Sequence, residues 1–254
     1  MQALASIVDE AHRDQRACIK ALLEPLDPDG RASPGAGLVD LSVLHSVTLQ
    51  GYLGEILAGV VAENYDPHNR IWEVPAFTFR FDQDAETQIV RSLAGHDSSA
   101  TFGRHGHDCL AFSFDEAGGV DGYLACEGKC SAGHSSGLIN KGHEQLGTGD
   151  APTADILRLL QVLGASQAPS ARDWKSAFQA WLLSAPGIPA PERFDLLVYL
   201  CGRSPQPPRI TWMSAATPRA RYKGGREFEA VEAHIPNIGP LVMTCYPGHA
   251  FGHA

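Results

Sequence analysis

The chain has 254 residues, 44% of them hydrophobic, enough for one large α/β domain with a real core. Its formal net charge of −9 is unfavourable for a protein that grips nucleic acid through charge alone, and no apolar run approaches the length of a membrane span. The N-terminus carries acids and no signal-peptide pattern, and six cysteines lie mostly inside apolar runs, so a reduced, cytoplasmic protein is expected.

Residues 1–24 carry a loose amphipathic stripe of Leu4, Ile7, Val8, Ala11, Cys18, Leu22 and Leu23, the pattern of a helix. Prolines and glycines then break the chain from Pro25 to Gly35, so residues 1–40 read as a peripheral helical arm and 41–254 as the main domain. A second helix is expected from Leu41 to Tyr65, stopped by Asp66-Pro67, with Leu49, Leu53, Ile56, Leu57, Val60 and Val61 on its apolar face. Beside them runs a line of small residues, Gly51, Gly54, Ala58, Gly59 and Ala62, which permits close approach to a sheet. Glu55 lies among these, where an acid needs a partner to justify its place. Residues 71–81 alternate Phe77, Phe79 and Phe81 with Thr78 and Arg80, a strand pattern, and Glu86–Leu93 has a short helical one. Gly103 and Gly106 flank Arg104, which could contact a phosphate, although a turn arginine is more often solvated.

The informative stretch is Gly103–Cys130. Two apolar runs, Cys109–Phe114 and Val120–Cys126, are separated by a segment ending in Gly118-Gly119, which reads as a β-hairpin. Asp108 precedes the first strand, and Glu127 and Lys129 close the second. Residues two apart on a strand share a face, and antiparallel pairing sets the start of one strand beside the end of the next. Two carboxylates and an ammonium should therefore converge. Such carboxylates repel unless a hard divalent cation, Mg²⁺ or Mn²⁺, holds them, and the lysine could then orient a water for hydrolysis. A rival set is Cys109, Cys126, Cys130 and His134 as zinc ligands, although their spacing lacks the usual C-x2-C.

Downstream, Leu138–Leu146 is helical in pattern, as are Thr153–Leu163 and Ala171–Leu183, the last with Trp174, Phe178, Trp181 and Leu182 on one face. Phe194–Cys201 is a buried strand with Asp195 inside it. Ile210–Ala215 and Phe228–Ile235 read as further strands, and Asn237–Tyr246 as a closing helix. From Leu196 to Arg226 there is no acid but six bases, so the rest of the chain carries a net −15 (14 bases, 29 acids). Arg219, Arg221 and Lys223 in that window are candidate backbone contacts for a nucleic acid.

An Asp, a hairpin and then Glu-x-Lys resembles the core of the PD-(D/E)xK, or restriction-endonuclease-like, nucleases; His107 stands where the family's proline often does. The resemblance implies an α/β fold with a mixed central sheet, the catalytic hairpin within it and helices on both faces. It implies Mg²⁺-dependent cleavage of DNA, with Asp108, Glu127 and the carbonyl of Gly128 as metal ligands and Lys129 positioning the attacking water. Gly54-Glu55 is similar to the family's first helix, which adds Glu55 to the metal and catalytic set. The helix after Glu-x-Lys often carries a polar residue facing the site, here one of Lys141, His143, Glu144 or Gln145. The approach to Asp108 and the Cys-Glu-Gly-Lys string also look similar to the nuclease subunits of bacterial anti-phage systems, the Hachiman type among them, which work with a helicase partner. That implies a second protein, a helicase or sensor, to supply DNA affinity. The competing expectation is a silent nuclease fold kept as a protein-interaction scaffold.

Overall fold

The computed structural model describes residues 2–23, 46–78, 107–148, 152–184, 190–213 and 218–246. Among the described residues six α-helices surround one four-stranded mixed sheet, so the expected α/β class holds. In chain order the elements are α1 (Gln2–Leu23), α2 (Ser46–Tyr65), β1 (Cys109–Phe114), β2 (Val120–Ser131), α3 (Ser136–Thr148), α4 (Thr153–Ala165), α5 (Ala171–Leu182), β3 (Glu192–Cys201), β4 (Phe228–His234) and α6 (Ile238–Cys245). The strands lie side by side in the order β1-β2-β3-β4. β1 and β2 are the antiparallel hairpin, and β2, β3 and β4 run parallel. Gly118, at φ +80°, makes the reversing turn, while Asp115 accepts from the amides of Ala117 and Gly119 through its side chain.

Strand alternation divides the core into two layers. Leu110, Phe112, Tyr123, Ala125, Leu197 and Tyr199 face α3, α4 and α5, where Phe178 meets the Phe112 ring edge-on at 4.7 Å. Ala111, Leu124, Cys126, Leu196 and Val198 face α2, whose Ala58 and Ala62 are fully buried. The second contact is close because it is made by small residues. A Cβ on Gly128 would lie 2.2 Å from the Gly54 carbonyl oxygen, and one on Gly54 would lie 3.2 Å from Cys130 Cβ. Gly51, by contrast, has nothing within 4 Å and takes no part.

The α1 helix, expected as a peripheral arm, packs on the body: Val8, Ala11 and His12 are buried, with Leu53 and Ile56 of α2 and Val242 of α6 in the same cluster. Two expected strands differ. Residues 210–213 are irregular because the Glu232 carboxylate accepts from the amides of Trp212 and Met213, at 2.8 and 2.9 Å, and a backbone so engaged cannot join a ladder. Of residues 71–78, only Glu73 makes a bridge, to Phe112; Pro75 has no amide to extend it. Residues 79–81, the expected helix at 86–93, Arg104 and residues 24–45 lie outside the described residues.

Candidate active site

The hairpin register decides the site. Cys109 pairs with Cys126, so Asp108 stands next to Glu127 one step beyond the last pair of β1. Lys129 Nζ reaches both carboxylates, donating to Asp108 Oδ2 at 3.2 Å and to Glu127 Oε1 through a short contact. Asp108 Oδ2 also accepts the Gly128 amide at 3.1 Å, and Nζ lies 3.4 Å from the Gly128 carbonyl oxygen. All three side chains are buried, with 2–6% exposed. Two anions and one cation out of water form an arrangement that water cannot screen, so each charge depends on the others.

Lys129 projects toward α3, where its Cγ lies 3.6 Å from the position a Cβ on Gly142 would take. Gly142 is thus the residue of α3 that seats the lysine stem. Three of the four polar residues singled out on this helix have other surroundings. His143 is buried, turned to the Phe228 ring at 5.0 Å, with Nδ1 2.9 Å from the Ile139 carbonyl oxygen. Burial, and more weakly the field of Arg219, lowers its pKa below that of a free histidine. Glu144 pairs with Arg221 at 3.1 Å on the surface, and Lys141 is exposed.

Glu55 is buried (8% exposed) in α2, one residue after the Gly54 that touches Gly128. Its helix covers the Leu124–Cys126 face of the sheet and brings the Glu55 backbone amide against Gly128, while Lys129 projects to the α3 face. Its charge also acts on Tyr246, whose pKa is raised mainly by burial. Among the described residues, no three His, Cys, Asp or Glu side chains gather as a metal-ligand set, Glu55 with Asp108 and Glu127 included. What the site does gather is two carboxylates and the Gly128 carbonyl, all hard oxygen donors suited to Mg²⁺ or Mn²⁺.

The zinc alternative is not assembled either. His134 stacks on Trp212 instead, with centroids 3.9 Å apart. The two thiols that flank the acids, Cys109 and Cys126, are buried cross-strand neighbours; the hydrogen bond between them, and then burial, push Cys109 well above the ordinary thiol pKa. They pack as apolar groups.

The basic window divides. Arg219 Nη1 donates to Asn140 Oδ1 at 2.6 Å, and its Nη2 donates to the Trp212 carbonyl, tying the segment to α3. Arg226 belongs to a centre that sequence reasoning missed. Asp195, fully buried, accepts from Arg193 Nε at 2.8 Å, Arg226 Nε at 3.1 Å and the Tyr222 hydroxyl at 2.7 Å. Both arginines also donate to the Leu146 carbonyl near the C-terminal end of α3, so the centre anchors the helix that seats Lys129. Its one sequence signal was an acid inside an apolar run. Lys223 is exposed beside the end of α3. Among the described residues no helix is long and apolar enough to cross a membrane. A scan against protein-family models gives no match, and a search of curated proteins gives none either.

Proposed function

We propose that this protein is a metal-dependent DNA nuclease of the PD-(D/E)xK type, a cytoplasmic effector subunit of a bacterial anti-phage complex with a helicase or sensor partner. The observation that carries the reading is Lys129 held between Asp108 and Glu127, with the Gly128 carbonyl alongside, at the open end of the hairpin. A surface salt bridge is worth little and needs no burial, whereas a buried acid-acid-lysine group costs desolvation that a packed apolar core would avoid. Such a cost is tolerated where chemistry uses the charges.

Asp108, Glu127 and the Gly128 carbonyl would hold Mg²⁺ or Mn²⁺; Glu55, which does not gather with the two acids, is proposed as a further ligand through a bridging water. When bound, the cation supplies charge stabilisation at the phosphoryl oxygens and activation of water. The chain's own residues do the rest. The Gly128 amide donates to Asp108 Oδ2 and so orients the carboxylate. Lys129, seated on Gly142, presents an ammonium that can orient a water or meet the developing negative charge of a phosphodiester. The Gly54–Gly128 contact fixes Glu55 against the strand that carries the acids. Arg104, Arg221 and Lys223 are the proposed contacts to the DNA backbone. Arg219 is proposed in a double role, since it already braces α3.

The test is nicking of supercoiled plasmid in Mg²⁺ or Mn²⁺ by the purified chain, alone and with the proteins encoded beside it. Glu127→Ala and Lys129→Ala should each abolish cleavage while the protein stays folded. Cleavage at the wild-type rate by either variant sinks the assignment, and inactivity under all conditions favours the scaffold reading.

A further inference from the structure

Parallel α/β sheets place ligands beyond the carboxyl ends of their strands. At that end of β2 and β3 lie two loops, residues 132–135 and 202–213, joined where His134 stacks on Trp212. The His134 ring lies on the Trp212 indole at 3.9 Å and 12° between planes, and the Arg209 guanidinium sits over the same indole at 5.4 Å. The platform is well braced. Trp212 donates from its indole nitrogen to the Arg203 carbonyl and receives Arg219 on its own carbonyl, while Glu232 holds its amide. His134 meets the edge of Tyr199, the register partner of Lys129 in β3, so the stack stands directly beyond the Lys129 layer.

Exposed positive charge flanks it. Arg203, Arg209 and Ile210 are exposed, Ile210 at 89%. Among the described residues neither Arg203 nor Arg209 has a carboxylate partner, although the chain carries 29 acids to 20 bases. Burial, with the fields of Arg209 and Arg219, lowers the His134 pKa, which disfavours a competing cation beside the indole. Exposed unpaired guanidinium groups over a braced aromatic platform match the chemistry of a nucleic-acid strand. Its phosphates take arginine, and its bases stack on indole and guanidinium planes.

We propose that the Arg209–Trp212–His134 stack, with Arg203 beside it, binds a single strand of nucleic acid and leads it to Lys129. Phosphates meet Arg203 and Arg209, and a base stacks on the platform as the exposed Arg209 side chain swings outward. This deepens the nuclease reading by naming a strand path, and its site lies apart from the acid-lysine group.

The experiment is fluorescence anisotropy of a labelled oligothymidylate, and of an abasic oligonucleotide of equal length, in Ca²⁺ at two salt concentrations. Arg209→Glu, an exposed change that leaves the fold intact, should weaken both ligands about tenfold or more and flatten the salt dependence. Trp212→Ala should weaken the oligothymidylate about tenfold with a smaller effect on the abasic strand, and Trp212→Phe should restore most of the loss. Wild-type binding by Arg209→Glu, equal losses on both strands in Trp212→Ala, or no oligonucleotide binding by the wild type would each overturn the proposal. Plasmid cleavage that needs Glu127 but survives Arg209→Glu with unchanged oligonucleotide binding removes this site and keeps the nuclease. Stack-dependent binding without Glu127-dependent cleavage keeps the site and removes the nuclease.

Discussion

Replacing Lys129 with methionine tests whether the acid-lysine group is a charge-balanced unit. The side chain keeps nearly the same stem over Gly142 but loses the ammonium that bridges Asp108 and Glu127. Two carboxylates, 5% and 2% exposed, then lose the cation they share. Breaking a buried ion group by removing one partner costs about 3–5 kcal/mol. At about 2 °C per kcal/mol for a chain of this size, the melting temperature in chelator should fall by about 6–10 °C. A divalent cation bound in the ammonium's place should return part of that loss, about 2.7 kcal/mol at a hundredfold excess over its Kd. Differential scanning calorimetry of Lys129→Met in EDTA and in Mg²⁺ reads both effects. A melting temperature within about 2 °C of wild type in EDTA would refute the shared-charge argument.

Three further expectations follow from the packing. Gly128→Ala places a methyl 2.2 Å from the Gly54 carbonyl oxygen, so α2 must lift from β2. A loss of about 1–3 kcal/mol in denaturant titrations is expected, with reduced cleavage because Glu55 moves with the helix. Asp195→Ala leaves Arg193 and Arg226 partly buried without their anion and should cost about 3–5 kcal/mol by urea unfolding; a loss under about 1 kcal/mol would show that the arginines find another partner. His143, its pKa lowered by burial, binds fewer protons folded than unfolded, so stability should rise with pH up to about 6.5 and be lost on acidification below it. His143→Gln should flatten that slope between about pH 5 and 7, and an unchanged slope would assign the acid loss to other groups.

The hairpin was legible because its signals are local. Alternation in Cys109–Phe114 and a Gly-Gly turn set the register, and the register alone brings Asp108 to Glu127 across a long stretch of sequence. Glu55 was legible only in part. The small residues around it announced close packing, but which sheet face α2 covers is decided by the whole core, and that face is opposite to the one Lys129 uses. The Asp195 centre was hidden because its partners, Arg193, Tyr222 and Arg226, come from two separate segments. Residues 210–213 looked like a strand from their apolar content, and a single distant carboxylate, Glu232, decided otherwise by taking their amides.

The central claim is that Asp108, Glu127 and the Gly128 carbonyl hold a divalent cation beside Lys129. Isothermal titration of Mn²⁺ into the purified chain measures this without any requirement for DNA or a partner. Saturable binding by the wild type is expected, with at least tenfold weaker binding in both Asp108→Asn and Glu127→Gln at unchanged fold. Binding that is equally strong in all three proteins, or absent from the wild type, would contradict the account.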